Sequence, residues 1–142
     1  GSLAPRFSAA DAQTKGLVAQ LFAEFNTALL AGLSGSSARV IDVGAIFATA
    51  RANPAAFGLT NVTDPACSAA AISAITRGQV TDGSSLFCNA SAGVPFNGLT
   101  PGASASTYFF ADGLHPTTGG HKFFADQVLA KLKDFGWAPD NL

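Results

Sequence analysis

Residues 108–118, which read YFFADGLHPTT, decide the fold of this chain. The aromatic run at the start of this stretch is typical of a β-strand, which we predict from Thr107 to Phe110. A turn containing Asp and Gly follows, and the spacing predicts a helix that begins around residues 116–118. Strand, turn and helix in this order predict an α/β fold with polar side chains in a turn at a strand end.

Asp112 and His115 stand three residues apart in this turn. A histidine that takes a proton from a serine hydroxyl needs a carboxylate on its other ring nitrogen, which fixes the tautomer and stabilises the imidazolium. Catalytic groups commonly lie at strand ends, where a rigid sheet positions a loop. The pair could therefore be the acid and base of a catalytic triad. The alternative is that Asp112 closes a turn and His115 is an ordinary loop histidine, since turns favour Asp and Gly.

The longer motif DGLHPTTGGH at residues 112–121, followed by an amphipathic helix, resembles the last motif block of the GDSL, or SGNH, hydrolases. Upstream, Phe25-Asn26 on a predicted helix, the segment VIDV at 40–43 and a helix ending near Asn53-Pro54 are similar to the secreted lipase, phospholipase and autotransporter-esterase branch. The resemblance covers most of the chain but only the C-terminal part of the family's domain. It implies the C-terminal half of a flavodoxin-like three-layer α/β fold that hydrolyses carboxylic esters. It also implies that His115 is the general base and Asp112 its orienting acid.

The family's blocks that carry the nucleophilic serine, the oxyanion glycine and the oxyanion asparagine have no counterpart in this sequence. Residues 32–37, GLSGSS, lie between a predicted helix and a predicted strand, whereas a nucleophile elbow runs from strand to helix. Residues 82–86, DGSSL, are predicted to be a turn in an irregular loop. We therefore expect residues 1–142 to be the C-terminal segment of one hydrolase domain. Its partner would be an upstream segment that carries the serine and the oxyanion donors, and the chain alone would be inactive.

Two other functions fit the same residues. The chain could be a non-catalytic binding or interaction domain, or it could catalyse acyl transfer or carbohydrate deacetylation on the same fold. A metal site made of Asp112, His115 and His121 is disfavoured, because zinc sites usually show tighter helical spacing such as H-E-x-x-H. We expect no metal and no cofactor, and we expect His121 to cap or line the first turn of the last helix.

Composition excludes several functional classes. The 48% hydrophobic content is enough for a sizeable core. Charged residues make up 12% of the chain and the net charge is −1, which argues against disorder, nucleic-acid binding and a polybasic membrane patch. No run of about eighteen apolar residues is present, so no transmembrane segment is predicted.

The two cysteines, Cys67 and Cys88, are predicted to form a structural disulfide. A metal site would need more ligands nearby, and a redox pair would usually be closer together. The bridge would close a loop of about twenty residues and contribute about 3 kcal/mol through loop entropy. It implies an oxidising compartment, which for a bacterial chain is the periplasm, the cell surface or the exterior.

Three further elements are predicted from periodicity. A first helix is expected to start near Ser8, with an apolar face that docks on a sheet. Val40–Val43 reads as a short buried parallel strand, in which Asp42 needs a strand-end position or hydrogen bonds from neighbouring backbone. A last helix is expected to run to about Phe135. The apolar faces of the two helices contain Leu17, Leu21, Phe25 and Leu29, and Phe124, Val128, Leu132 and Phe135.

Residues 53–106 show little periodicity and are predicted to form a long, irregular insertion loop stapled by the disulfide. Loops of this length inside a compact domain are usually functional or stapled. In the family that the chain resembles, this insertion borders the active-site cleft. The candidates for an acyl-binding wall are Phe87, Val94, Phe96 and Leu99. The alternative is a satellite cluster that packs the loop against the body of the domain.

Overall fold

The computed structural model describes residues 4–89 and 97–139. Its helices are α1 (Pro5–Ser8), α2 (Ala12–Gly32), α3 (Val43–Ala52), α4 (Ala69–Ile75) and α5 (Thr118–Asp134). Its strands, β1 (Asn61–Pro65) and β2 (Tyr108–Phe110), pair in parallel as a two-stranded sheet. Two 3₁₀ turns lie at Pro54–Phe57 and Ser85–Phe87. The described chain is therefore a mixed α/β structure, and β2 confirms the predicted strand.

The core lies where β2 meets α3 and α5. Phe109 and Phe110 of β2 are buried, and they cluster with Ile46 of α3 and Phe123 of α5. Phe47 packs against this cluster with its ring centroid 4.6 Å from that of Phe109. Aromatic side chains bury large apolar areas, so this cluster holds β2 and the turn that follows it in place.

Two adjacent glycines let the start of α5 approach the backbone that precedes it. A Cβ on Gly120 would collide with the carbonyl oxygen of Phe109 and would lie 2.9 Å from the Pro116 Cβ. A Cβ on Gly119 would collide with the carbonyl oxygen of Ser106. Since neither collision is with a movable side-chain end, both positions need glycine for close packing.

The last helix begins and ends as predicted. Thr117 is its N-cap, with the hydroxyl accepting from the Gly120 N–H at 3.0 Å, and Phe135 is its C-cap. The predicted core stripe is shifted, because Phe123 is the buried aromatic residue and Phe124 is only partly buried. Gly120 lies close to the preceding backbone, and Phe123 lies on the same face of α5 about one helical turn later. Phe123 therefore points towards the core.

The predicted strand at Val40–Val43 is wrong. Residues 38–42 are irregular, and α3 begins at Val43 with Asp42 as its N-cap. The Oδ1 of Asp42 accepts the Ala45 N–H at 2.9 Å, which confirms the expected bonding to neighbouring backbone. Asp is a strong helix N-cap, and here its capping outweighs the β-preference of the neighbouring valine and isoleucine.

The long helix α2 also differs from its prediction. Ser8 ends α1, and Asp11 caps α2 by accepting the Thr14 N–H at 2.9 Å. Leu21 and Phe25 are 65% and 61% exposed, so the predicted apolar face does not dock on the described sheet. The residues that cover β2 come from α3 and α5 instead. No described helix has the length and apolar character needed to cross a bilayer.

Residues 53–106 contain more regular structure than the sequence predicts. β1 has polar residues and a proline, which disfavour strands, and it is held by parallel pairing with β2. α4 starts at Ser68, whose hydroxyl accepts the Ala71 N–H at 3.2 Å, and it buries Ile72 completely. The predicted disulfide between Cys67 and Cys88 is confirmed, with a Cα–Cα distance of 5.8 Å.

Candidate functional site

The turn between β2 and α5 is closed by backbone hydrogen bonds. The Ala111 N–H donates to the carbonyl of His115 at 2.8 Å, and the Thr117 N–H donates to the carbonyl of Phe109 at 2.9 Å. Because Phe109 is fully buried, this bond attaches the turn to the packed core. The structure therefore presents Asp112 and His115 on a turn with fixed ends.

Asp112 lies inside this turn with its side chain 8% exposed. Its Oδ1 accepts the N–H groups of Leu114 at 2.9 Å and His115 at 2.8 Å. Its Oδ2 accepts the N–H of Ser85 at 3.0 Å. A buried carboxylate needs such partners to offset its lost hydration. Asp112 thus organises the turn, as the alternative reading of the sequence requires, and it also faces the histidine.

His115 packs its ring against this carboxylate. Its Nδ1 lies 3.0 Å from Oδ1 and 2.9 Å from Oδ2 of Asp112, while the side chain is 67% exposed. When Nδ1–H donates to the carboxylate, Nε2 is the ring nitrogen left to accept a proton. The two residues predicted from spacing are therefore brought together in the arrangement of a triad's acid and base.

The carboxylate of Asp112 is held in its charged form. Burial raises the pKa of Asp112, but hydrogen bonds from the His115 N–H, from the hydroxyl and N–H of Ser85 and from the Leu114 N–H outweigh this effect. They hold the pKa of Asp112 well below its ordinary value of 3.8. Asp112 is consequently negative throughout the range in which a histidine titrates, as the stabilisation of an imidazolium requires.

Ser85 is a site residue that the sequence did not indicate. It lies within the DGSSL segment, where it begins the 3₁₀ turn Ser85–Phe87, and it precedes Asp112 by 27 residues, so no local pattern links it to Asp112. Its N–H donates to Asp112, and its side chain helps to lower the pKa of the Asp112 carboxyl. In the other serine-rich segment, the Ser36 hydroxyl bonds to the Leu33 carbonyl. Within residues 4–89 and 97–139, neither segment provides a serine hydrogen-bonded to the imidazole.

The structure describes some of the remaining candidates and not others. His121 is exposed at the end of the first turn of α5, and no three His, Cys, Asp or Glu side chains of the described chain cluster as a metal site. Phe87 and Leu99 are half-buried, and Leu99 pairs with Cys67 in an antiparallel bridge. Val94 and Phe96 lie outside the described residues.

Comparisons with protein-family models, with curated proteins and with solved structures found no match. The chemistry of the site must therefore be inferred from its geometry. His115 can accept a proton at Nε2 from a group in solvent, while the buried carboxylate of Asp112 compensates the positive charge that develops. Such an arrangement is suited to general acid-base chemistry.

Proposed function

We propose that this chain supplies the acid and base of a Ser-His-Asp triad in an SGNH-type carboxylic ester hydrolase of the esterase, lipase or phospholipase kind. The observation that carries the proposal is the contact between His115 Nδ1 and a buried Asp112 carboxylate at 2.9 Å, with the imidazole itself exposed. The resemblance of residues 112–121 to the family's last motif supports it.

In the proposed reaction, His115 Nε2 takes the proton of a serine hydroxyl as the serine oxygen attacks the ester carbonyl. The tetrahedral oxyanion collapses to an acyl-enzyme, and His115 gives the proton to the departing alcohol. His115 then takes a proton from water as its oxygen attacks the acyl-enzyme, and it returns this proton to the serine oxygen as the acyl–serine bond breaks and the carboxylic acid leaves. Asp112 remains charged throughout and holds the ring in the required tautomer.

On this proposal, the serine and the oxyanion donors come from an upstream segment of the same hydrolase. A sheet of two parallel strands supports the idea, because parallel sheets are usually larger and covered on both faces. The exposed apolar residues of α2, including Leu21 and Phe25, also support it, because extended apolar surfaces are normally covered. Further strands beside β1 or β2 would extend the sheet towards a flavodoxin-like three-layer fold and would offer α2 a surface.

The same proposal assigns an ester with an apolar acyl chain as substrate. Phe87 lies in the 3₁₀ turn that contacts Asp112 through its first residue, and it would border the acyl group together with Leu99. Val94 and Phe96 are the other two proposed wall residues. The disulfide supports a periplasmic, cell-surface or extracellular location, because such bridges persist in oxidising compartments.

The proposal is tested on the complete protein as its native host produces it. Purified protein would be assayed with p-nitrophenyl butyrate and octanoate and labelled with a fluorophosphonate probe that reacts with activated serines. We expect the probe to label a serine outside residues 1–142. We expect His115→Ala to lower kcat/KM by about 10³-fold or more, as loss of a triad base does. His121→Ala is the matched control and should retain activity, because His121 is exposed on α5.

Full activity in His115→Ala would overturn the proposal in favour of a non-catalytic binding domain. A complete protein that neither cleaves the esters nor reacts with the probe would overturn it as well. Transfer of the acyl group to an added alcohol, or release of acetate from a polysaccharide, would retain the triad but replace hydrolysis of simple esters as the activity.

A further inference from the structure

We propose that Ser85 is a positioning residue for the Asp112–His115 pair and that the Cys67–Cys88 disulfide holds Ser85 in place. This inference rests on the proposed function, because the orientation of the pair matters to catalysis only if the pair transfers protons. It gives Ser85 and the disulfide a role in the site, in addition to forming a turn and cross-linking the loop.

The two oxygens of Asp112 are anchored from different parts of the chain. Oδ1 accepts two N–H groups from its own turn, those of Leu114 and His115. Oδ2 accepts the N–H of Ser85 at 3.0 Å, and the Ser85 side chain also lowers the pKa of the carboxyl. Anchoring at one oxygen alone leaves the carboxylate plane able to rotate, whereas anchoring at both fixes the plane that faces the imidazole. Outer partners of this kind orient the groups that do the chemistry.

The segment that carries Ser85 is tied to Asp112 through the disulfide. Cys88 lies three residues after Ser85 and is bonded to Cys67. The Cys67 N–H donates at 2.8 Å to the carbonyl of Ala111, the residue directly before Asp112. The path from Asp112 through Ala111, Cys67 and Cys88 to Ser85 therefore closes back on Asp112. A closed path of this kind limits how far the Ser85 N–H can move from the carboxylate.

The charged groups on neighbouring elements do not account for the anchoring. The backbone N–H of Arg6 in α1 donates to the Gly113 carbonyl at 2.9 Å. The Asp82 carboxylate accepts the backbone N–H of Ser84 at 3.1 Å. Among the described residues, the ion pair found for Asp112 is the one with His115. Hydrogen bonds from Ser85 are thus the long-range contact that distinguishes this carboxylate from an ordinary turn aspartate.

The test measures the titration of the Asp112 carboxyl by carbon NMR in the complete protein. Ser85→Ala keeps the backbone N–H and removes the hydroxyl, so we expect the Asp112 midpoint to rise by about one pH unit. Ser85→Thr restores a hydroxyl and should return the midpoint towards the wild-type value. Ser84→Ala is the matched control and should leave it unchanged, because the N–H groups that donate to Asp112 belong to Ser85, Leu114 and His115. Reduction of the disulfide releases the Ser85 segment and should also raise the midpoint.

In the complete protein, Ser85→Ala should lower kcat by about 10-fold with little change in KM, as loss of an outer partner does. An Asp112 midpoint that is the same in wild type, Ser85→Ala and the reduced chain would overturn the inference. If Ser85→Ala does not fold, Ser85→Gly carries the same comparison. The NMR test needs no ester cleavage, so a failure of the proposed esterase function and a failure of the positioning role give different results.

Discussion

Replacing Asp112 by asparagine would measure how much the buried carboxylate stabilises the fold through its charge. Asparagine keeps one oxygen for the N–H groups of Leu114 and His115, but it puts an NH₂ group where Oδ2 accepts the Ser85 N–H. Donor then faces donor, and an unsatisfied buried N–H costs about 1–3 kcal/mol. The remaining hydrogen bonds weaken as well, because bonds to an ionised acceptor are stronger than bonds to a neutral one. We expect Asp112→Asn to lower the free energy of unfolding by about 2–4 kcal/mol at pH 7.

The pH dependence of this difference follows from the depressed pKa of Asp112. As the pH falls, the unfolded chain binds the Asp112 proton near the ordinary value of 3.8, while the folded chain still excludes it. The stabilisation is therefore fully present above the unfolded pKa and is lost as the pH falls from there towards the folded pKa. Since Asp112→Asn lacks this titration, the gap between wild type and variant should narrow as the solution is acidified below about pH 4.

Urea unfolding followed by circular dichroism, at pH 7 and in steps down to pH 3, measures both effects. Asp126→Asn is the control, because Asp126 is exposed and forms a surface ion pair with Lys122 on α5. Its effect should stay below about 0.5 kcal/mol. Equal stability of wild type and Asp112→Asn at pH 7, or a gap that stays constant down to pH 3, would show that the charge of Asp112 does not stabilise the turn.

Two further predictions concern the scaffold of the site. The double variant Cys67→Ala/Cys88→Ala should lower the free energy of unfolding by about 3 kcal/mol, because the bridge closes a loop with a sequence separation of 21; an unchanged urea midpoint would contradict this. Gly120→Ala should cost about 2 kcal/mol or more, since its Cβ would collide with the backbone of β2. Gly16→Ala, in the second turn of α2 with no atom within 4 Å of the new methyl group, should instead stabilise by about 0.5–1 kcal/mol. In thermal unfolding, the midpoint of Gly120→Ala should lie below that of wild type and the midpoint of Gly16→Ala above it. The reverse order would refute the packing argument.

Several parts of the structure could be predicted because their causes lie within a few residues. Asp112 meets His115 across three residues, and Thr117 caps α5 through the N–H three residues ahead. Strand β2 is an aromatic run, and the disulfide follows from the presence of two cysteines with no metal or redox pattern around them. The wrong prediction of a strand around Asp42 also has a cause within a few residues, because a helix N-cap and a strand end can have similar sequences.

Other parts were decided by contacts between segments far apart in the chain. Ser85 reaches Asp112 across 27 residues, and β1 is held by β2 although its own residues disfavour a strand. The exposure of α2 and the burial of Phe123 depend on which helices cover the sheet, and periodicity alone does not specify that. The amino-acid sequence by itself therefore determined the contact between Asp112 and His115, since this contact depends only on the geometry of their own turn. The second anchor of that pair was decided by tertiary structure, because a buried carboxylate takes its donors from whichever backbone the packing brings near.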